Sequence, residues 1–104
     1  MFHKCKITVI QRSVNTDLVN EYVTDPNIFP ICNKVEDKQE FFVSSPFDMP
    51  EGICASAWAD IRPFVIAIAS GGSFSMMKNP HSTLATCTDP FRPVIFNVER
   101  VSTQ

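Results

Sequence analysis

Cys54 follows the turn residues Pro50-Glu51-Gly52 and stands just ahead of an apolar segment with helical spacing. A thiol at such a junction meets unpaired backbone N–H groups and the positive end of a helix dipole. Both favour the thiolate, the form that attacks an electrophile or anchors a soft ligand. Cys54 is therefore the candidate catalytic residue. The competing reading is a small buried side chain in a crowded junction, since cysteine is among the most buried residue types and no histidine adjoins it in sequence. Trp58 could stack on a planar ligand, or fill the core in register with Ile61 and Val65. Asp60 could orient a ligand or cap a helix.

A second group gathers over Cys87-Thr88-Asp89-Pro90-Phe91-Arg92, where a thiol, a carboxylate and a guanidinium share one turn. Asp89 and Arg92 could hold a carboxylate-bearing ligand, or pair with each other and fix the turn. With Trp58, Asp60 and Cys87 they form the candidate ligand-binding set. His3 and His81 are the only residues that ordinarily titrate near neutrality, which makes them the default acid or base; both are expected at the surface. The cysteines Cys5, Cys32, Cys54 and Cys87 lack the close pairing of a structural zinc site, so no metal is expected. Nor is a cofactor, because Gly52, Gly71 and Gly72 cannot build a phosphate-binding loop. Reduced thiols are expected over disulfides.

The elements that must position these groups follow from periodicity. Lys4 to Arg12 alternates as a half-buried strand, with Cys5, Ile7 and Val9 on one face. Asn15-Thr16 offers an N-cap to a short helix near 16–22. Pro26 and Pro30 impose an irregular path whose apolar residues Ile28, Phe29 and Ile31 should pack down on the core. Glu40 to Ser44 reads as a strand. Trp58, Ile61, Val65 and Ile68 then mark the main helix, about 57–70, stopped by Gly71-Gly72. Pro63 within it implies either a start near Asp60, which would be the N-cap, or a bend at Pro63. Thr83 to Cys87 and Pro93 to Val101 complete the strands, with Val94, Phe96 and Val98 on one face. The sum is a single α+β domain: a mainly antiparallel sheet of about four strands with the helix packed on it, and the first and last strands as neighbours.

At 104 residues, 44% apolar and 19% charged with nine phenylalanines, the chain has material for one core and one domain. A net charge of -2, with lysines and arginines scattered, argues against nucleic acid. No run has the length of a membrane span and no secretory signal is evident, so a cytoplasmic setting is expected. Phe64 widens the apolar stripe, and Ile66 and Ala67 put apolar groups on the nominal outer face, so the helix is expected to be covered on more than one side, by the sheet and by another subunit of a homo-oligomer.

The ordered motifs Lys6-Ile7-Thr8-Val9, Pro50-Glu51-Gly52-x-Cys54, Ala57-Trp58-Ala59-Asp60-Ile61, Gly71-Gly72, Cys87-Thr88-Asp89, Arg92-Pro93-Val94-Ile95-Phe96 and Glu99-Arg100 resemble a family of small uncharacterised prokaryotic proteins of similar length. The resemblance implies a stand-alone prokaryotic domain marked by Cys54, Trp58, Asp60, Cys87, Asp89 and Arg92. It brings no activity. Lys38, His81 and Pro90 depart from glycines in that pattern, and Thr86 stands where a second cysteine is common. The sequence thus supports a small ligand-binding or accessory module as the first reading, with a thiol-dependent enzyme using Cys54 as the alternative.

Overall fold

A computed structural model describes residues 2–28 and 30–101, apart from the side chain of residue 28. Strands β1 (Cys5–Arg12), β2 (Glu40–Val43), β3 (Ser82–Thr86) and β4 (Val94–Arg100) form one sheet in the order β2-β1-β4-β3. All three pairings are antiparallel, and the first and last strands are neighbours, as expected, and form the central pair. The short helix α1 (Thr16–Tyr22) follows β1, and the 15-residue helix α2 (Ala55–Ala69) joins β2 to β3. Among the described residues, no helix is long and apolar enough to cross a membrane.

The inward face of the sheet carries Ile7 and Val9 from β1, Phe41 and Val43 from β2, Ala85 from β3, and Phe96 and Val98 from β4. The stripe Ala57, Trp58, Ile61, Val65 and Ile68 of α2 is buried in the same core. The opposite face is wet. There Lys6 lies between Glu40 at 3.6 Å and Glu99 at 3.9 Å, which suits the polar half of an alternating pattern. The register shifts between Val9 and Gln11, and Ile10 at this irregularity is exposed.

Three expectations are corrected. Helix α2 begins at Ala55 with Cys54 in the N-cap position, not near Asp60, and the Trp58 N–H already donates to the Cys54 carbonyl at 2.9 Å. Burying Ala57 and Trp58 extends the apolar stripe by a turn, and this outweighs the hydrogen bond that Pro63 cannot donate from inside the helix. Asp60 is consequently an interior helical residue and does not cap α2. In the irregular segment Ile31 is exposed, and the residue that packs down is Val35, 3% exposed. The expected packing of Phe29 and of the Ile28 side chain lies outside the described residues.

The C-terminal stop of α2 is as the glycine pair implies. Gly71 has φ 97°, a conformation that costs a side chain bearing Cβ. The Gly71 N–H donates to Ile68 at 3.2 Å and the Gly72 N–H to Ala67 at 2.8 Å, the paired bonds of a Schellman ending. A Cβ on Gly72 would come within 2.8 Å of the Ala67 carbonyl oxygen. Arg100 finishes the cap from β4, donating from Nε to Ile68 at 3.1 Å and from Nη2 to Gly72 at 2.7 Å.

Candidate functional site

The N-terminal end of α2 opens on a cavity of about 310 Å³. Its wall is built from three stretches far apart in sequence. Helix α2 and its cap supply Cys54, Ser56, Ala57 and Asp60; the segment after β3 and the start of β4 supply Cys87, Thr88, Asp89, Arg92, Val94 and Phe96; the segment before β2 supplies Cys32, Lys34 and Val35. Five of the six residues singled out from the sequence therefore share one wall. Trp58 does not join them: at 8% exposed it sits in the core cluster, one helical step from Ile61.

Hydrogen bonds from several elements hold the turn after β3. Asp89 Oδ1 accepts the N–H groups of Phe91 at 2.9 Å and Arg92 at 3.2 Å, and its Oδ2 meets Arg92 Nε at 3.2 Å. The Asp89 side chain thus wraps its own turn, an Asx arrangement in which the carboxylate stands in for a backbone acceptor. Partial burial pushes the Asp89 carboxyl up, but the two N–H donors and the Arg92 guanidinium outweigh it and hold its pKa below the ordinary value of 3.8. From the other side, Asn15 at the N-cap position of α1 donates from Nδ2 to Pro90 at 2.6 Å, and its N–H donates to Phe91 at 2.9 Å. The expected cap bond from the Asn15 side chain to α1 is not made. This amide instead ties α1 to the turn.

Asp60 reaches across to the same turn. Its Oδ2 accepts the Thr88 N–H at 2.8 Å and the Thr88 hydroxyl at 3.0 Å, joining the first half of α2 to the residue after Cys87. Cys87 itself is fixed by Val94: its N–H donates to the Val94 carbonyl at 3.0 Å, and its Sγ accepts the Val94 N–H at 3.2 Å. Cys54 makes no side-chain cap bond, so its sulfur is not committed to the start of its own helix. All four cysteines are free thiols, with Cys5 fully buried in the core. Burial raises the pKa of Cys5, and the charge of Arg100 offsets this only in part.

The third wall rests on Arg12, a residue with no signal in the sequence. Its Nη1 donates to the Cys32 carbonyl at 2.8 Å and to Val35 at 3.0 Å, while Nε pairs with Asp37 at 2.8 Å. One guanidinium at the end of β1 thus shapes the irregular segment, using the fixed fork of donors that lysine lacks. The Asp37 pKa is lowered by that same hydrogen bond to Arg12. Lys38, next in the chain, has φ 65° in the left-handed region. Cys32 is the thiol that sequence reasoning left out; its only cue was a lone cysteine beside Ile31.

The histidines lie elsewhere. His3 donates its backbone N–H to Ala69 at 2.8 Å, and His81 Nδ1 is 3.0 Å from Arg100 Nη1, both at the C-terminal end of α2. Fifteen helical residues separate that end from Cys54 by about 22 Å. Neither histidine serves as an acid or base at the cavity. Among the described residues, no three His, Cys, Asp or Glu side chains are grouped so as to hold a metal ion.

The turn should loosen in acid. A carboxyl whose folded pKa is depressed contributes stability that is present above its unfolded pKa, near 3.8 here, and is lost as pH falls through the lower folded value. Asp89→Asn should therefore lower stability near neutrality and flatten the loss of stability below about pH 4. Urea midpoints measured from pH 7 down to pH 3 check this; identical slopes for the two proteins would refute it.

Comparison with protein-family models, curated proteins and solved structures finds no match to this chain.

Proposed function

We propose that this chain is a small ligand-binding or accessory module whose site is the cavity at the start of α2. The observation that carries this reading is the convergence of Cys54, Asp60, Cys87, Asp89 and Arg92 on one cavity from two separate segments. Its volume, about 310 Å³, lies at the lower end of the range for small-molecule sites. Val35, Ala57, Val94 and Phe96 give it apolar walls, and the polar groups sit on one turn and one helix end. That combination suits a small, partly apolar ligand carrying one polar or anionic group.

A fragment library screened by thermal shift and by amide NMR tests the reading. A ligand at a hundred times its Kd should add about 2.7 kcal/mol of stability and shift the amide signals of Ala57, Thr88 and Val94 together. A screen in which no compound perturbs these signals removes the proposal. The same reading takes the chain as a cytoplasmic, prokaryotic protein that self-associates. Phe64, 39% exposed on α2, is the apolar feature supporting self-association, and sedimentation at the mass of a single chain would remove that part.

A second reading, a thiol-dependent enzyme with Cys54 as nucleophile or redox residue, is favoured by the position of this thiol at the helix start without a cap bond. Such a thiol should be alkylated in the folded chain faster than a model thiol.

A further inference from the structure

Three of the four cysteines in the chain, Cys32, Cys54 and Cys87, line the same cavity, although each comes from a different segment. Their spacing in sequence hides this, and no disulfide joins any of them. The fourth, Cys5, is sealed in the core. Thiols gathered on one small, open cavity have access to a small reagent and to one another's adducts. The nearest histidine contacts are at the far end of α2, so acid–base catalysis by imidazole is not available here, and thiol–disulfide exchange does not require it.

We infer that the cavity is a thiol–disulfide exchange site for low-molecular-weight disulfides, in which Cys54 takes the first thiol unit and Cys87 displaces it. The proposal deepens the binding reading and rests on the cavity being the site. In the first step the Cys54 thiolate attacks one sulfur of the small disulfide; a new S–S bond forms at Cys54, the disulfide bond of the reagent breaks, and one thiolate leaves. In the second step the Cys87 thiolate attacks Cys54 Sγ, the mixed disulfide breaks, and the second small thiolate leaves. Both leaving thiolates take up the protons given by the two cysteines. The chain is oxidised by two electrons and the small disulfide is reduced to two thiols.

Cys54 is assigned the entry role because its sulfur makes no cap bond and stands where the cavity meets the helix start. Cys87 is assigned the second role because Asp60 ties the adjacent Thr88 to the helix that begins at Cys54. Its sulfur is also already oriented by the Val94 N–H. Closing the final disulfide needs Cα atoms within about 7 Å, so the Cys87 segment must move toward the Cys54 end of α2 across the cavity that both line.

The test uses bis(2-hydroxyethyl) disulfide as the probe on the full chain, with acid quenching and peptide mass mapping. The wild type should lose two hydrogens and yield a Cys54–Cys87 disulfide. Cys87→Ser should stop at a single 2-mercaptoethanol adduct on Cys54, Cys54→Ser should take up neither, and Cys32→Ser should behave as the wild type. In the folded wild type the first adduct should form on Cys54 ahead of Cys32 and Cys87, a comparison that needs no variant. Adducts spread evenly over the cysteines, or a disulfide still closing in Cys87→Ser, would overturn the proposal. Saturable shifts at Ala57 and Val94 without exchange would overturn it while leaving the binding site intact. Exchange at Cys54 with no saturable ligand would instead sink the binding reading alone.

Discussion

Phe96→Ala should destabilise the domain by about 3–5 kcal/mol, the range for removing a buried aromatic ring. Phe96 is fully buried and is the largest such side chain in the described structure. It lies on β4 opposite Val9 of β1 and Ala85 of β3, so its ring sits at the middle of the sheet, under α2. It also forms part of the cavity wall. Removing it takes away core contacts and joins new empty space to the existing cavity, and the strands held by their neighbours can close that space only in part. Against a total stability of about 5–15 kcal/mol for a domain of this kind, the variant should be largely unfolded in mild urea. Trp58, the only tryptophan and a core residue, reports the transition by fluorescence. A loss below about 1 kcal/mol would contradict the packing described. Phe96→Leu, which keeps most of the volume, should recover the greater part of the loss.

The legibility of the fold in the sequence tracks how local each cause is. The alternation of Cys5, Ile7 and Val9, and of Val94, Phe96 and Val98, marks the buried face within each single strand, whereas the place of β1 and β4 at the centre of the sheet is a long-range choice that alternation does not specify. The glycine pair at the end of α2 was equally legible, because a left-handed cap is written in one residue. The start of α2 was legible only in part, since the spacing marks a helix from about 57 while Pro63 also allows a start near Asp60. Pro63 is a strong local signal for a helix start, yet the burial of Ala57 and Trp58 against the sheet decides the matter, and burial against a distant element has no signature in a short window. The site divides in the same way. Cys54 and the Cys87 to Arg92 turn were visible as clusters of reactive types beside turn residues. Arg12 and Cys32 were not, since a guanidinium at a strand end that binds carbonyls some twenty residues later looks like any exposed arginine.

Asp60 offers the sharpest separation of structural from ligand-binding roles. As a helix cap it would act on α2 alone; as a ligand contact it would act on binding alone. The geometry gives it a third role, a strut from α2 to Thr88 through two hydrogen bonds to one carboxylate oxygen. Asp60→Ala removes both bonds and leaves the Thr88 N–H without that acceptor. A cost of about 0.5–1.5 kcal/mol is expected, because both bonds are exposed and water can replace the lost acceptor. Because the strut holds the turn that carries Cys87, Asp89 and Arg92, ligand affinity at the cavity should fall with it. Asp60→Asn keeps a carbonyl oxygen to receive the Thr88 N–H and should restore most of the stability. The pairing is isolated by a cycle with Thr88→Val, which removes the hydroxyl donor. The two substitutions should be less than additive, by about 0.5 kcal/mol or more, as groups in direct contact are. Strict additivity in urea midpoints, or weakened binding in Asp60→Ala at unchanged stability, would return Asp60 to the role of a ligand contact.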